Sequence, residues 1–459
     1  MIPKEWNMNI IIVGCGQVGR SLAKELIREG NDVTVIDTSA EKIKSITNNI
    51  DVMGVVGNGA SHITQQEASV KNADLLIAVT DSDELNLLCC IIAKKEGDCH
   101  TIARVRDHAY NKEASYLKEE LGLAMVINPE LASAEEIARV LRFPSALSIE
   151  PFAKGRVELI KFKLPEDSGL VGLSVKDAIA KYKYDVLFCT AERGDAVVVT
   201  KGDFVFEAKD VITMIAPPRR AVAFFKKIGL DSASARSAII VGGGEVTHYL
   251  CDICDDKGME LKIIDGDRAV CNRFAEDFPA VTVVHGDTSE QATLIEEGIE
   301  STDAFLALSD IDEENIILSL YAKEHSAGKI VTKINRLDYD DVIQHLELDT
   351  VIYPKDITSN IILRYVRSMK SKSGSNMEAL YSIIPGRVEA YEFSVSEGSP
   401  IAGKQLSTLR LKDNILIAAI MRGRSVITPR GYDAIQAGDS VIVVSEVLGI
   451  TSLADILKK

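Results

Sequence analysis

The sequence predicts an α/β protein built as a tandem, with two doubly wound parallel-sheet units, each followed by a small α+β unit. Three observations carry this. Residues 9–20 (NIIIVGCGQVGR) recur as 237–248 (SAIIVGGGEVTH). Short, continuous apolar runs alternate with helix-length segments behind each copy, the pattern of strands covered on both faces. A strand-rich stretch then repeats as well: VELIKFKL at 157–164 parallels VEAYEFSV at 388–395. A chain of 459 residues is also too long for one core.

The elements of the first unit follow in order. Ile10–Val13 reads as a buried strand, Gly19–Glu29 as a helix, Val33–Asp37 as the second strand and Glu41–Asn48 as a helix. Met53–Val56 and Leu75–Thr80 are strands, Leu85–Glu96 a helix, and Thr101–Arg106 and Met125–Ile127 short strands. The second copy keeps landmarks: Gly14 maps to Gly242, Gly16 to Gly244 and Asp37 to Asp265. Asp74, Asp81, Asp83, Glu84 and Asn86 map to Asp303, Asp310, Asp312, Glu313 and Asn315, and Pro129, Arg139 and Arg142 to Pro354, Arg364 and Arg367. The small shifts in offset fall where loops absorb insertions. In the small units, residues 191–215 parallel 420–444, each running strand, Arg-Gly turn, strand, second turn and last apolar strand. One short helix is expected near Val175–Lys181. Linkers are expected at Asp231–Arg236 and Lys370–Asn376. The expected domains are 1–145, 146–230, 236–372 and 376–459.

With 52 basic and 68 acidic residues, the formal charge is −16, poorly suited to holding nucleic acid. Hydrophobic residues at 46% and charged residues at 26% exclude disorder for most of the chain. No run reaches the roughly 18–20 apolar residues of a membrane helix, and residues 1–9 lack a signal-peptide core. A cytoplasmic protein is expected. The eight cysteines form no disulfide-like framework. Cys251 and Cys254 read as small residues on a helix, without a second pair at zinc spacing.

Gly14-x-Gly16-x-x-Gly19 lies between a strand and a helix, and Asp37 ends the next strand. In that context Gly14 makes the tight turn, Gly16 lets backbone approach a pyrophosphate, and Gly19 lets helix pack on strand. The helix N-terminus offers free N–H groups to phosphate. Asp37 can accept from both ribose hydroxyls and repels a 2′-phosphate, so NAD or an adenine nucleotide is favoured over NADP. The candidate site therefore comprises Gly14, Cys15, Gly16, Gln17, Val18, Gly19 and Asp37, with Asn58 and Thr80 at neighbouring strand ends. Arg104 and Arg106 alternate with apolar residues and so share a face suited to phosphate. Their alternative is a surface ion pair with Asp107 or Glu113. In the second copy Gly242, Gly244 and Asp265 persist, but Thr247 replaces the third glycine and Glu245 adds a negative charge. This favours a degenerate, structural role there.

No acid–base constellation, P-loop lysine, zinc motif or nucleophile elbow accompanies the glycines. All seven histidines fall in the large units, scattered. The sequence thus predicts a nucleotide binder rather than an enzyme.

At this point the chain resembles the TrkA family, the cytosolic nucleotide-binding subunits of bacterial Trk potassium-uptake systems. The resemblance is carried by NIIIVGCGQVGRSLAKEL, VTVID, GNGA, DLLIAVTDSDELNLLCC, ARVR and VINPE, then by IIVGGGE and IYPKDITSN. It implies tandem regulator-of-potassium-conductance (RCK) domains, each a Rossmann-like half with a small C-terminal half. It also implies self-association into a ring, dimer or tetramer, peripheral to the inner face of the membrane beneath a Trk-type potassium channel or transporter. NAD(H), with ATP or ADP as the other candidates, would gate that partner allosterically. Gln17 stands where some related domains have Arg. A regulator of a cation–proton antiporter and an NAD-dependent oxidoreductase are the alternative readings.

Overall fold

The computed structural model describes residues 7–458, apart from 195, 231–234, 256–257, 289, 327, 337–339, 373–375 and 385. The central linker expectation therefore lies largely outside the described residues.

Apolar strands and amphipathic helices alternate through the first large unit. In order these are β1 (Asn9–Val13), α1 (Gln17–Arg28), β2 (Asp32–Asp37), α2 (Ala40–Asn49), β3 (Met53–Val56), α3 (His62–Glu67), β4 (Leu75–Ala78), α4 (Asp83–Glu96), β5 (His100–Arg104), α5 (His108–Lys112), α6 (Ala114–Glu120), β6 (Met125–Ile127) and α7 (Pro129–Arg142). Side-chain caps start most of the helices. Ser39, Ser61, Ser82, Asp107 and Asn128 accept from N–H groups at the starts of α2, α3, α4, α5 and α7, and Pro129 sits in the first turn of α7. The six strands are parallel in the order β3-β2-β1-β4-β5-β6, so the chain reverses its winding between β1 and β4.

The first small unit follows: β7 (Ala146–Phe152), β8 (Val157–Lys163), α8 (Val175–Tyr182), β9 (Leu187–Arg193), β10 (Ala196–Val199), β11 (Val211–Ala216) and α9 (Pro218–Lys227). The second large unit runs β12 (Ser237–Val241), α10 (Glu245–Asp255), β13 (Glu260–Asp265), α11 (Arg268–Asp277), β14 (Thr282–His285), α12 (Gln291–Glu296), β15 (Ala304–Ala307), α13 (Asp312–His325), β16 (Lys329–Lys333), α14 (Asp340–His345), β17 (Thr350–Ile352) and α15 (Pro354–Lys372). Its sheet order, β14-β13-β12-β15-β16-β17, repeats the first. The second small unit holds β18 (Met377–Ile384), β19 (Val388–Ser394), β20 (Ile415–Arg422), β21 (Ser425–Ile427) and β22 (Ser440–Ser445).

The small sheets are antiparallel. Each is locked by one matched ion pair. Arg193 donates to both oxygens of Asp210 at 2.7 and 2.8 Å, and Arg422 to both of Asp439 at 2.9 and 2.8 Å. The two sheets share one apolar core, in which Phe152, Val157, Leu159 and Ile215 pack with Val388, Ala390, Met421 and Ile442. Helix α8 appears where the sequence places it. The second small unit has instead a short 3-10 turn at Leu406–Thr408.

The large units exchange helices. Ala134, Ile137, Ala138 and Leu141 of α7 join the core beside Val246, Leu250 and Cys254 of α10. Reciprocally, Ile362, Leu363 and Val366 of α15 pack with Ile10, Ile12, Leu22 and Leu26 of the first unit. Arg367 Nε donates to Glu29 Oε1 at 2.8 Å across the same seam. Lys370–Lys372, expected as linker, is the last turn of α15; 373–375 lie outside the described residues.

Candidate nucleotide site at the sheet reversal

Each glycine of the first loop meets a different constraint. Gly14 has φ +106°, and a Cβ there would lie 2.9 Å from the Val79 carbonyl oxygen. A Cβ on Gly19 would lie 1.9 Å from the Gly14 carbonyl oxygen, so helix and turn touch there. A Cβ on Gly16 would meet nothing within 4 Å. Gly16 precedes α1 without a side-chain cap, and the first turn carries no acidic residue. Of the helices of the first large unit, α1 and α6 start without a side-chain cap, and α1 is the one whose leading N–H groups lie at the sheet reversal. Gly16 and Gln17 are exposed and Val18 half-buried against the core.

Asp37 holds the loop from below. Its Oδ2 accepts the Cys15 N–H at 2.7 Å, and its Oδ1 accepts the Ser39 N–H at 2.8 Å. Cys15 is buried, and burial raises its thiol. Asn58, just beyond β3, is exposed, and its Oδ1 accepts from the Ala60 N–H at 2.9 Å.

On the other side of the reversal, Thr80 donates its N–H and hydroxyl to Asn86 Oδ1 at 2.8 and 2.7 Å. Asn86, fully buried, also donates to the carbonyls of Thr80 and Arg104 at 3.1 and 2.9 Å. Arg104 Nη2 donates to the Thr80 carbonyl at 2.6 Å and lies 3.2 Å from Asp81 Oδ1. Arg106 Nη2 donates to the Asp81 carbonyl at 2.7 Å. Both arginines therefore rest on the β4–α4 loop, not on Asp107 or Glu113. The strand ends at Arg104, not Arg106, because Asp83 Oδ2 takes the N–H groups of Arg106 and Asp107, both at 2.8 Å, and turns the chain out of the sheet.

Two features escaped the sequence reading. Asn86 and Asp83 are the clamps that shape the site; their recurrence as Asn315 and Asp312 was the signal. Glu130, in the first turn of α7, is pushed up by burial, with Arg106 and Arg104 pulling it back; its Oε2 is buried without a hydrogen bond. Burial lowers Arg104, with Arg106 adding to the effect. The result is a pair of arginines beside the loop after β4, countered by the carboxyls of Glu130 and Asp81.

The second copy keeps the scaffold and changes the chemistry. Gly242 has φ +101°, and Asp265 accepts the N–H groups of Gly243 and Asp267 at 2.7 and 2.8 Å. A Cβ on Gly244 would again meet nothing within 4 Å. Thr247 donates its hydroxyl to the Gly242 carbonyl at 2.6 Å. Glu245 opens α10 with a carboxylate that opposes an anion; Arg273 lies 3.8 Å from it. Lys333, 3.0 Å from Asp310, replaces Arg104, and Asn335 replaces Arg106. A separate cleft of about 760 Å³ lies between α7, α9 and α10, lined by Arg139, Arg142, Val222, Phe225 and Met259, away from both glycine loops.

A parallel sheet in this order, with a glycine turn at its reversal, defines a Rossmann-like unit, present here twice with a small antiparallel sheet behind each copy. The chain matches the TrkA-N domain over residues 10–129 and 238–354, and the TrkA-C domain over 159–229 and 390–458. It is 32% identical over 446 residues to Trk system potassium uptake protein TrkA homolog 1 of Methanosarcina mazei, covering 95% of this chain and 97% of the relative. It is 31% identical over 443 residues to the Trk system potassium uptake protein TrkA of Halomonas elongata, covering 95% of each. The chain belongs to the TrkA family of Trk system potassium uptake proteins. Its fold is shared by the GsuK channel bound to NAD (TM-score 0.63, 17% identity, covering 97% of this chain and 78% of that one). The GsuK RCK domain is similar to the same degree, with 93% of its chain covered. Among the described residues, no helix is long and apolar enough to cross a membrane.

Proposed function

We propose that this chain is the cytosolic regulatory subunit of a Trk-type potassium transporter, binds NAD(H) or an adenine nucleotide at its first glycine loop, and gates its membrane partner allosterically. The observation that carries the reading is the open approach at Gly16 before an uncapped helix, at the reversal of a sheet in a TrkA-family chain. The residues fit the ligand. The α1 N-terminus receives phosphate, Gly16 leaves room for it, Asp37 accepts from ribose hydroxyls, and Arg104 and Arg106 face the remaining charge. In this reading the nucleotide supplies binding energy to the assembly. The ligand shifts the assembly only by its difference in affinity between two conformations. The second loop is a structural copy, and self-association into a ring beneath the transporter completes the reading.

Thermal unfolding with NADH, NAD, NADPH, ATP and ADP tests it. A ligand at 100 times its Kd should add about 2.7 kcal/mol. The expected result is stabilisation by NAD(H) or adenine nucleotides but not by NADPH, abolished in Gly16→Glu, followed by altered potassium flux on reconstitution with a Trk-type channel. No shift with any nucleotide sinks the reading.

A further inference from the structure

Where the first large unit meets helix α10 of the second, three metal-ligating side chains converge outside both glycine loops. His108 opens α5, two residues beyond Arg106. His248 and Asp252 sit four residues apart and so share a face of α10. One donor atom of each of the three lies within 4.8 Å of the other two. His108 Nε2 is 3.5 Å from Asp252 Oδ2, and His248 Nδ1 is 3.9 Å from the same oxygen. Around an ion with bonds of about 2.0–2.1 Å, tetrahedral donors stand roughly 3.3 Å apart, so the two contacts to Asp252 must close by about 0.2 and 0.6 Å, and the two imidazole nitrogens, within 4.8 Å of each other, by up to about 1.5 Å.

Two further observations point to a ligand. The Nδ1 atom of His248, which faces Asp252, is buried and forms no hydrogen bond. On the far side of its ring, His248 Nε2 lies 3.5 Å from Asp277 Oδ2, the outer carboxylate that commonly orients a ligating imidazole. Phe278 and Tyr249 pack against the two rings, with centroids 4.8 Å from His248 and 5.3 Å from His108, giving the cluster an apolar wall.

We propose that His108, His248 and Asp252 form a binding site for a divalent transition-metal ion, with His108 Nε2, His248 Nδ1 and Asp252 Oδ2 as donors and Asp277 as the positioning residue. Two imidazoles and a carboxylate suit zinc and its neighbours rather than magnesium or calcium, which prefer all-oxygen shells. The ion would tie α10 to the segment that carries Arg106. Tyr249 already joins them, donating its hydroxyl to the Arg106 carbonyl at 2.9 Å while accepting from Asn128 Nδ2 at 2.9 Å. The site thus lies at a joint between units, independent of whether the glycine loop takes nucleotide.

The test uses the full-length protein, stripped by chelator and dialysed against zinc in a large excess of magnesium, with bound metal measured by atomic emission. One zinc per chain is expected. His108→Gln and Asp252→Asn should each weaken it by more than the about 10–100-fold that an outer-shell loss costs, and Asp277→Asn by about that amount. The metal-free unfolding midpoint of His108→Gln should match the metal-free parent, showing that a ligand and not the fold was lost. Cobalt in place of zinc should show d–d bands without a thiolate charge-transfer band, which separates this site from Cys251 and Cys254. No bound metal, unchanged affinity in His108→Gln, or a thiolate band would each overturn the proposal.

Discussion

Gly14, Gly16 and Gly19 look alike in a motif and differ in physics. Gly19→Ala forces a methyl to within 1.9 Å of a backbone oxygen and should cost about 1–3 kcal/mol by overpacking. Gly16→Ala meets open space at an ordinary φ of −76° and should move stability by no more than about 0.5 kcal/mol. Denaturant unfolding of the two variants checks the pair; equal losses would refute the division of labour. The cysteines carry a similar contrast between sequence and environment. All eight are buried, and burial raises Cys89, Cys189 and Cys251 to about 12. An aqueous thiol reagent should therefore react slowly with the folded chain and quickly in denaturant. The glycine roles were legible because steric demands at a strand–helix turn are local. The partners of Arg104 and Arg106 were not, since Asp81 and Asp83 meet them only after β4 and β5 become neighbours.

Elements were legible where their period was strong, and least so at their ends. Strand β4 ends at Ala78, two residues short of the expected Thr80, because Asn86 captures the Thr80 N–H, and β5 ends at Arg104 because Asp83 captures the Arg106 N–H. Helix α7 is not legible from its own sequence, although its arginines mark the repeat. Its apolar face is meant for α10, more than a hundred residues away. The Asn86 clamp yields a prediction. Asn86→Ala leaves the buried Arg104 carbonyl and the half-buried Thr80 N–H without this partner, at about 1–3 kcal/mol for each such group when fully buried. The variant should lose roughly 2–4 kcal/mol in chemical denaturation and bind nucleotide more weakly. Asn315→Ala should lose similar stability, without changing nucleotide affinity.

At the scale of the molecule, the exchanged helices decide what can fold alone. Each buried aliphatic of α15 contributes about 1.5–3 kcal/mol, and three of them approach the whole stability of a typical domain. A chain ending at residue 230 lacks α15, but it carries α7, the repeat-equivalent helix. It should therefore pair with a second copy, α7 of each covering α1 of the other, and run as a dimer in light scattering. A stable monomer would contradict the packing argument. The joint between large and small units also makes stability depend on pH. Glu136 on α7 lies near Glu150, Arg139 and Arg364, and burial, with Glu150 second, raises it to about 7. A carboxyl raised on folding gives its full stability below the unfolded value of 4.5, and that stability is lost as pH climbs to about 7. Glu136→Gln should match the parent near pH 4.5 and exceed it by roughly 1–3 kcal/mol above pH 7 in denaturant titrations at several pH values.

The helix exchange also has a historical meaning. Two separately translated copies of one gene must remain identical, so a pair built from them must carry the same residues on both sides. A pair written in a single reading frame is released from that rule, and each half can drift alone. Thr247 against Gly19, Glu245 against Gln17 and Asn335 against Arg106 are what such freedom leaves behind.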